Sequence, residues 1–159
     1  MKVFISHQKA DTDLASAIGK YLFLEHDISS YLDIIDPYIS QAGELLGEHL
    51  RNELGKCTQL MAVVSEQTKG SWWVPWEIGV ATEKDYPIAT FAGDETKLPE
   101  YLIKWPYLKT KNDLDEYAKV SKQVEKQLIF RKSYQTETAA LHSSTSQFYR
   151  SLRERLGQL

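Results

Sequence analysis

The sequence predicts an α/β fold of the doubly wound, flavodoxin-like kind: a parallel sheet of about five strands in the order 2-1-3-4-5, with helices on both faces. Three observations carry this. Short apolar runs alternate with segments of helical periodicity from Lys2 to about Thr110. The run Leu60-Met61-Ala62-Val63-Val64 is apolar at every position, as a central parallel strand covered on both faces must be. And a chain of 159 residues buries roughly 70% of its unfolded surface, enough for one full core, so a single domain over residues 1–159 is expected.

Each element follows in order. Lys2 to Ser6 reads as the first strand, and Asp11-Thr12-Asp13 caps a helix whose Leu14, Ala17, Ile18, Tyr21 and Leu22 fall at helical spacing. Ile28 to Leu32 is a second strand, followed by a polar, proline-marked loop from Asp33 through Gln41. Leu45, Leu46, His49, Leu50 and Leu54 mark a second helix closed by Gly55. Thr58 to Ser65 is the third strand. Ser71 then caps a helix that tolerates Pro75 in its first turn. That segment, Ser71-Trp72-Trp73-Val74-Pro75-Trp76-Glu77-Ile78-Gly79, holds three of the four tryptophans and a carboxylate inside an apolar run. Four-residue spacing puts Trp73 beside Glu77 and Trp72 beside Trp76, and the helix dipole favours an anion near this end. Tyr86 to Ala92 is a fourth strand and Tyr107 to Thr110 a short fifth at the edge. Beyond Asp113 two helices are expected to pack on the sheet. The first is locally basic through Lys119, Lys122, Lys126, Arg131 and Lys132, which reads as a solvated face or a phosphate or partner face.

Composition narrows the function classes. A net charge of -3 gives no general attraction to nucleic acid or to anionic membranes, so neither is an expected partner. The lone Cys57 excludes an internal disulfide and supplies no zinc pattern. Val3-Phe4-Ile5 is too short for a signal-peptide core and no run reaches membrane-span length, which points to the cytoplasm.

Ligands of doubly wound sheets bind beyond the carboxyl ends of the strands, where neighbouring connections diverge to opposite faces. For this strand order that point lies between strands one and three, and the residues presented there are Ser6-His7, the loop from Asp33, and Ser65 through Glu77. Several chemistries are absent. A phosphoacceptor aspartate is missing at Val64-Ser65 and an aspartyl-phosphatase one at Ile5-Ser6; no GxGxxG, Walker A or GxSxG motif occurs. His7, His26, His49 and His142 are scattered, so no metal site is expected.

These residues resemble a known family, the Toll/interleukin receptor (TIR) domain, and in particular its bacterial enzymatic members. Val3-Phe4-Ile5-Ser6-His7 is similar to the first family box. Asp33 to Gly43, with Asp36-Pro37, is similar to the BB loop. Leu60 to Ser65 followed by S-x-W-x-x-x-E at Ser71, Trp73 and Glu77 matches the most specific element, and Phe148-Tyr149 stands where the third box has an aromatic pair. The resemblance implies an NAD+ glycohydrolase or cyclase with NAD+ as substrate and no further cofactor. In it Glu77 is the catalytic carboxylate, Trp73 lines the nicotinamide pocket and Trp76 is a second ring available for stacking. It also implies self-association through TIR contacts. Stand-alone bacterial members resemble components of antiphage systems such as Thoeris, in which a separate effector protein senses the product.

Ser6 and His7 either simply end the strand or, from their place at the switch point, contact ribose or phosphate; Asp36 is carried as a substrate-binding residue of the BB loop, although residues such as Asp33 and Asp36 around Pro37 are most often turn formers. Asp11 and Asp13 read as caps only. Two other functions stay open: a non-catalytic scaffold acting by homotypic TIR assembly, and a nucleoside deoxyribosyltransferase-like enzyme, which shares the fold and a catalytic glutamate.

Overall fold

A computed structural model describes residues 1–32, 43–92, 97–98 and 100–158, with the backbone alone at Gly43 and Glu44. Five strands form one all-parallel sheet in the order β2-β1-β3-β4-β5. They are β1 (Lys2–His7), β2 (Ser29–Leu32), β3 (Gln59–Val64), β4 (Ile88–Ala92) and β5 (Tyr107–Leu108). Between and after them run α1 (Thr12–His26), α2 (Gly43–Gly55), α3 (Trp73–Glu83), α4 (Lys111–Arg131) and α5 (Glu137–Arg155). The fold class and strand order are those the sequence predicts.

Strand alternation sorts the core into two layers. Val3, Ile5, Met61, Val63, Ala89 and Phe91 point to one face, where α1, α4 and α5 cover them with Ile18, Leu22, Leu114, Tyr117, Phe148 and Leu152. Phe4, Leu60, Ala62, Val64 and Ile88 point to the other, packed against Leu46, Leu50 and Leu54 of α2 and Val74, Ile78 and Ala81 of α3. Every residue of β3 is buried, because both faces are covered. The α1 layer approaches the sheet closely at Gly19: a β-carbon there would stand 2.8 Å from Ser30 Oγ.

Two differences from the sequence reading have local causes. β4 starts at Ile88 rather than Tyr86, because Tyr86 donates its N–H to Ala81 O and belongs to the turn that ends α3. β5 stops at Leu108, since Lys109 and Thr110 donate their N–H groups to the Asp113 carboxylate in the capping box of α4. The basic stretch is the solvated face that the sequence offers: Lys119, Lys122, Lys126 and Lys132 are exposed, with Lys119 paired to Glu116 at 2.6 Å and Lys132 to Glu137 at 2.7 Å, while Arg131 donates to Ser144 and Gln147 of α5.

Candidate active site

The pleat decides which strand-end residues reach α3. Ser6 shares the face of Phe4, toward α2 and α3, whereas His7 follows Val3 and Ile5 to the face of α1. Register places Ser6 beside Ala62 and His7 beside Val63 at the carboxyl ends of β1 and β3, the point where the connections leave for opposite faces.

Glu77 arrives at that point from α3. Ser71 accepts the N–H of Val74 at 3.2 Å from one residue ahead of the N-cap position, which Trp72 occupies without a side-chain cap bond, and Glu77 falls in the second turn. Its side chain is 1% exposed, and Ser6 Oγ donates a hydrogen bond to its Oε2. A fully buried hydroxyl thus orients a buried carboxylate. The bond holds one rotamer of the carboxyl group, and in its ionised form a carboxylate so held is an acceptor suited to hydroxyl groups or to developing positive charge.

His7 is buried too, but its ring Nδ1 lies 3.1 Å from Ile5 O on its own strand. A carbonyl only accepts, so this contact assigns the proton to Nδ1 and leaves Nε2 as the acceptor in the neutral ring. The structure therefore brings Ser6 and Glu77 together and turns His7 to the opposite face. Asp36, with Asp33 and Pro37, lies outside the described residues.

The tryptophans are arranged differently from the four-residue reading. Trp73 is half-buried and meets Trp76 edge to face, with ring centroids 5.6 Å apart and planes at 85°. Trp72 precedes the helix and is 90% exposed, so it does not stack on Trp76. Gly47 of α2 backs the pair: a β-carbon there would lie 4.0 Å from both rings. In the third box, Phe148 is buried edge-on against Tyr117, while Tyr149 donates to Tyr86 O at 3.4 Å. These two aromatics hold α5 on the fold.

One residue at this end of the sheet has a role that the sequence reading missed. Asp11 stands before α1, but its carboxylate makes no cap hydrogen bond; it accepts from Ser65 Oγ at 2.9 Å and from Thr68 Oγ1 at 3.5 Å. The partners are 54 and 57 positions away, so a local capping explanation sufficed in sequence and nothing short-range announced the long-range one. Among the described residues no group of three His, Cys, Asp or Glu side chains is placed to hold a metal ion, and no helix is long and apolar enough to cross a membrane.

Residues 3–127 match the family model described as TIR domain. No curated protein matches the chain.

Proposed function

The chain belongs to the TIR domain family, and from that premise we propose that it is an NAD+ nucleosidase, cleaving the nicotinamide–ribose bond with Glu77 as the catalytic carboxylate. The observation that carries this reading is the Ser6–Glu77 hydrogen bond, which sets one buried, oriented carboxylate at the topological switch point.

The chemistry needs little more. Nicotinamide departs as a neutral molecule from a cationic pyridinium, so its leaving requires no general acid. Ordinary glycosides need a second carboxyl group to protonate the departing oxygen. Here one carboxylate suffices: Glu77 accepts hydrogen bonds from the ribose hydroxyls and stabilises the positive charge that grows on the ribosyl carbon as the C–N bond breaks. Ser6 keeps the carboxylate aimed. Because Glu77 is 1% exposed, a ribose that reaches it displaces protein contacts and is shielded from water. Water as nucleophile gives ADP-ribose; a second nucleophile in the shielded site gives a cyclic or transferred product. The half-buried face of Trp73 is the proposed nicotinamide wall, and its edge contact with Trp76 fixes the ring.

We place residues 1–159 in one such domain, supported by the core that α4 and α5 share with the sheet. The wider setting we propose is cytoplasmic antiphage immunity of the Thoeris kind, with the product sensed by a separate effector protein. A scaffold reading has its own support in the large apolar side chains that α2 and the start of α3 expose, Leu45 and Trp72, which suit self-association between TIR domains.

Concentrated protein incubated with NAD+, with nicotinamide release followed by chromatography, tests the enzyme. Glu77→Gln is expected to lose about 100- to 1,000-fold in rate. Equal rates for the two proteins would sink the assignment. Release of a free base from deoxynucleosides with NAD+ untouched supports the deoxyribosyltransferase alternative, and mass spectrometry of the products separates linear from cyclic ADP-ribose.

A further inference from the structure

Asp11 and Glu77 are the two acidic side chains buried among the described residues, and both stand at the carboxyl ends of β1 and β3. Glu77 has a role in the proposed chemistry. Asp11 does not, and a buried carboxylate needs partners and a reason. Its partners lie on the other connection. The chain leaving β1 passes through a short 3-10 turn, Lys9–Asp11, toward the α1 face; the chain leaving β3 passes through a 3-10 helix, Glu66–Gly70, toward the α3 face. Asp11 Oδ2 accepts from Ser65 and Thr68 across this divergence.

The same two hydroxyls organise the segment that they belong to. Ser65 Oγ accepts the N–H of Gln67 at 3.3 Å and Thr68 Oγ1 accepts the N–H of Ser65 at 3.0 Å, a reciprocal capping box. Each hydroxyl accepts from backbone; Thr68 Oγ1 turns its proton toward Asp11 Oδ2 at 3.5 Å, and the single proton of Ser65 Oγ is shared between Asp11 Oδ2 and Gln67 Oε1, both at 2.9 Å. The segment runs on to Ser71, which accepts the N–H of Val74 at the start of the helix bearing Trp73 and Glu77.

We propose that Asp11 is a positioning residue: by stitching the β1 and β3 connections together where they diverge, it fixes the strap from Ser65 to Ser71 and with it the place of Trp73, at the start of α3, relative to the end of β1. Its kinetic consequence rests on the NAD+ reading; its structural consequence does not. Trp73 is the first residue of α3, next to the strap, whereas Glu77 lies one turn further on and is also held by its bond to Ser6 of β1.

The experiment compares the full chain with Asp11→Ala and Asp11→Asn by amide hydrogen exchange and by NAD+ steady-state kinetics. In Asp11→Ala, amides of residues 66–71 are expected to exchange about tenfold faster, and KM for NAD+ to rise about tenfold with kcat changed less than about threefold. Asp11→Asn keeps an acceptor oxygen and is expected to restore both to within about threefold. Unchanged exchange at 66–71, an unchanged KM, or an Asn variant as impaired as the Ala variant overturns the proposal. Should Asp11→Ala fail to fold, Ser65→Ala removes one arm of the stitch, with the same direction expected and the same null result decisive. If the parent chain releases no nicotinamide, the NAD+ reading fails, and the exchange rates alone decide whether Asp11 holds the strap.

Discussion

Ser6 and Glu77, 71 positions apart in the chain, meet in a hydroxyl–carboxylate hydrogen bond between the end of β1 and the second turn of α3. The strand contributes its last residue on the α3 face and the helix its one buried carboxyl group. Removing the donor leaves the carboxylate buried with one partner fewer. Ser6→Ala is therefore expected to lower nicotinamide release about tenfold while preserving the far-ultraviolet dichroism of the parent. A variant as active as the parent confines Ser6 to closing a strand.

Trp72 contributes to something other than the core. At 90% exposed it touches little of its own chain, and surface replacements of this kind change stability by less than about 0.5 kcal/mol. Trp72→Ala is expected to keep its melting temperature and to weaken concentration-dependent association in sedimentation equilibrium. Unaltered association would remove this face from the assembly.

The place of α5 in the domain can be measured at Phe148, which is fully buried and meets Tyr117 of α4 edge-on at 5.9 Å between centroids. If α5 completes the core, Phe148→Ala costs about 3–5 kcal/mol in chemical denaturation, with a single transition. A cost below about 1 kcal/mol would make α5 an appendage rather than part of the domain.

Cys57 gives the fold a pH dependence on the alkaline side. Burial pushes its thiol up to about 11, whereas an unfolded cysteine ionises near about 8.5. The sign follows directly. A raised native value means that the unfolded state loses its proton first, so this contribution is complete below about 8.5 and is lost as pH rises through the native value. Stability is expected to fall across that window in the parent and to fall less in Cys57→Ala, measured by urea denaturation at stepped pH. Alkylation by iodoacetamide near neutral pH should correspondingly be slow until the protein unfolds.

What could be read from sequence was what is local or periodic. The fully apolar run of β3 points to burial on both faces, and the alternation of strand and helical spacing to a parallel sheet; the flavodoxin-like order expected of such a sheet then located the switch point. The bond from Val74 N–H to Ser71 and the place of Glu77 in the second turn are also short-range facts, set by backbone geometry within a few residues. The tryptophan-rich run drew attention to Glu77, and the resemblance of S-x-W-x-x-x-E to the TIR pattern gave it the proposed role.

Tertiary structure decided the rest, because strand faces and long-range hydrogen bonds depend on how distant segments meet. Adjacent Ser6 and His7 looked equivalent in sequence, yet the pleat sends one to Glu77 and the other to the α1 face. The rings of Trp73 and Trp76 meet edge to face, and Trp72, which precedes α3, stands in solvent. Asp11 carried a sufficient local explanation as a cap, and only the approach of the β3 connection turned its carboxylate into a cross-link. By itself the sequence determined the sheet, the switch point and the carboxylate presented there; the packing of β1 against β3 and α3 determined which polar groups surround that carboxylate, since those contacts join residues that no local pattern links.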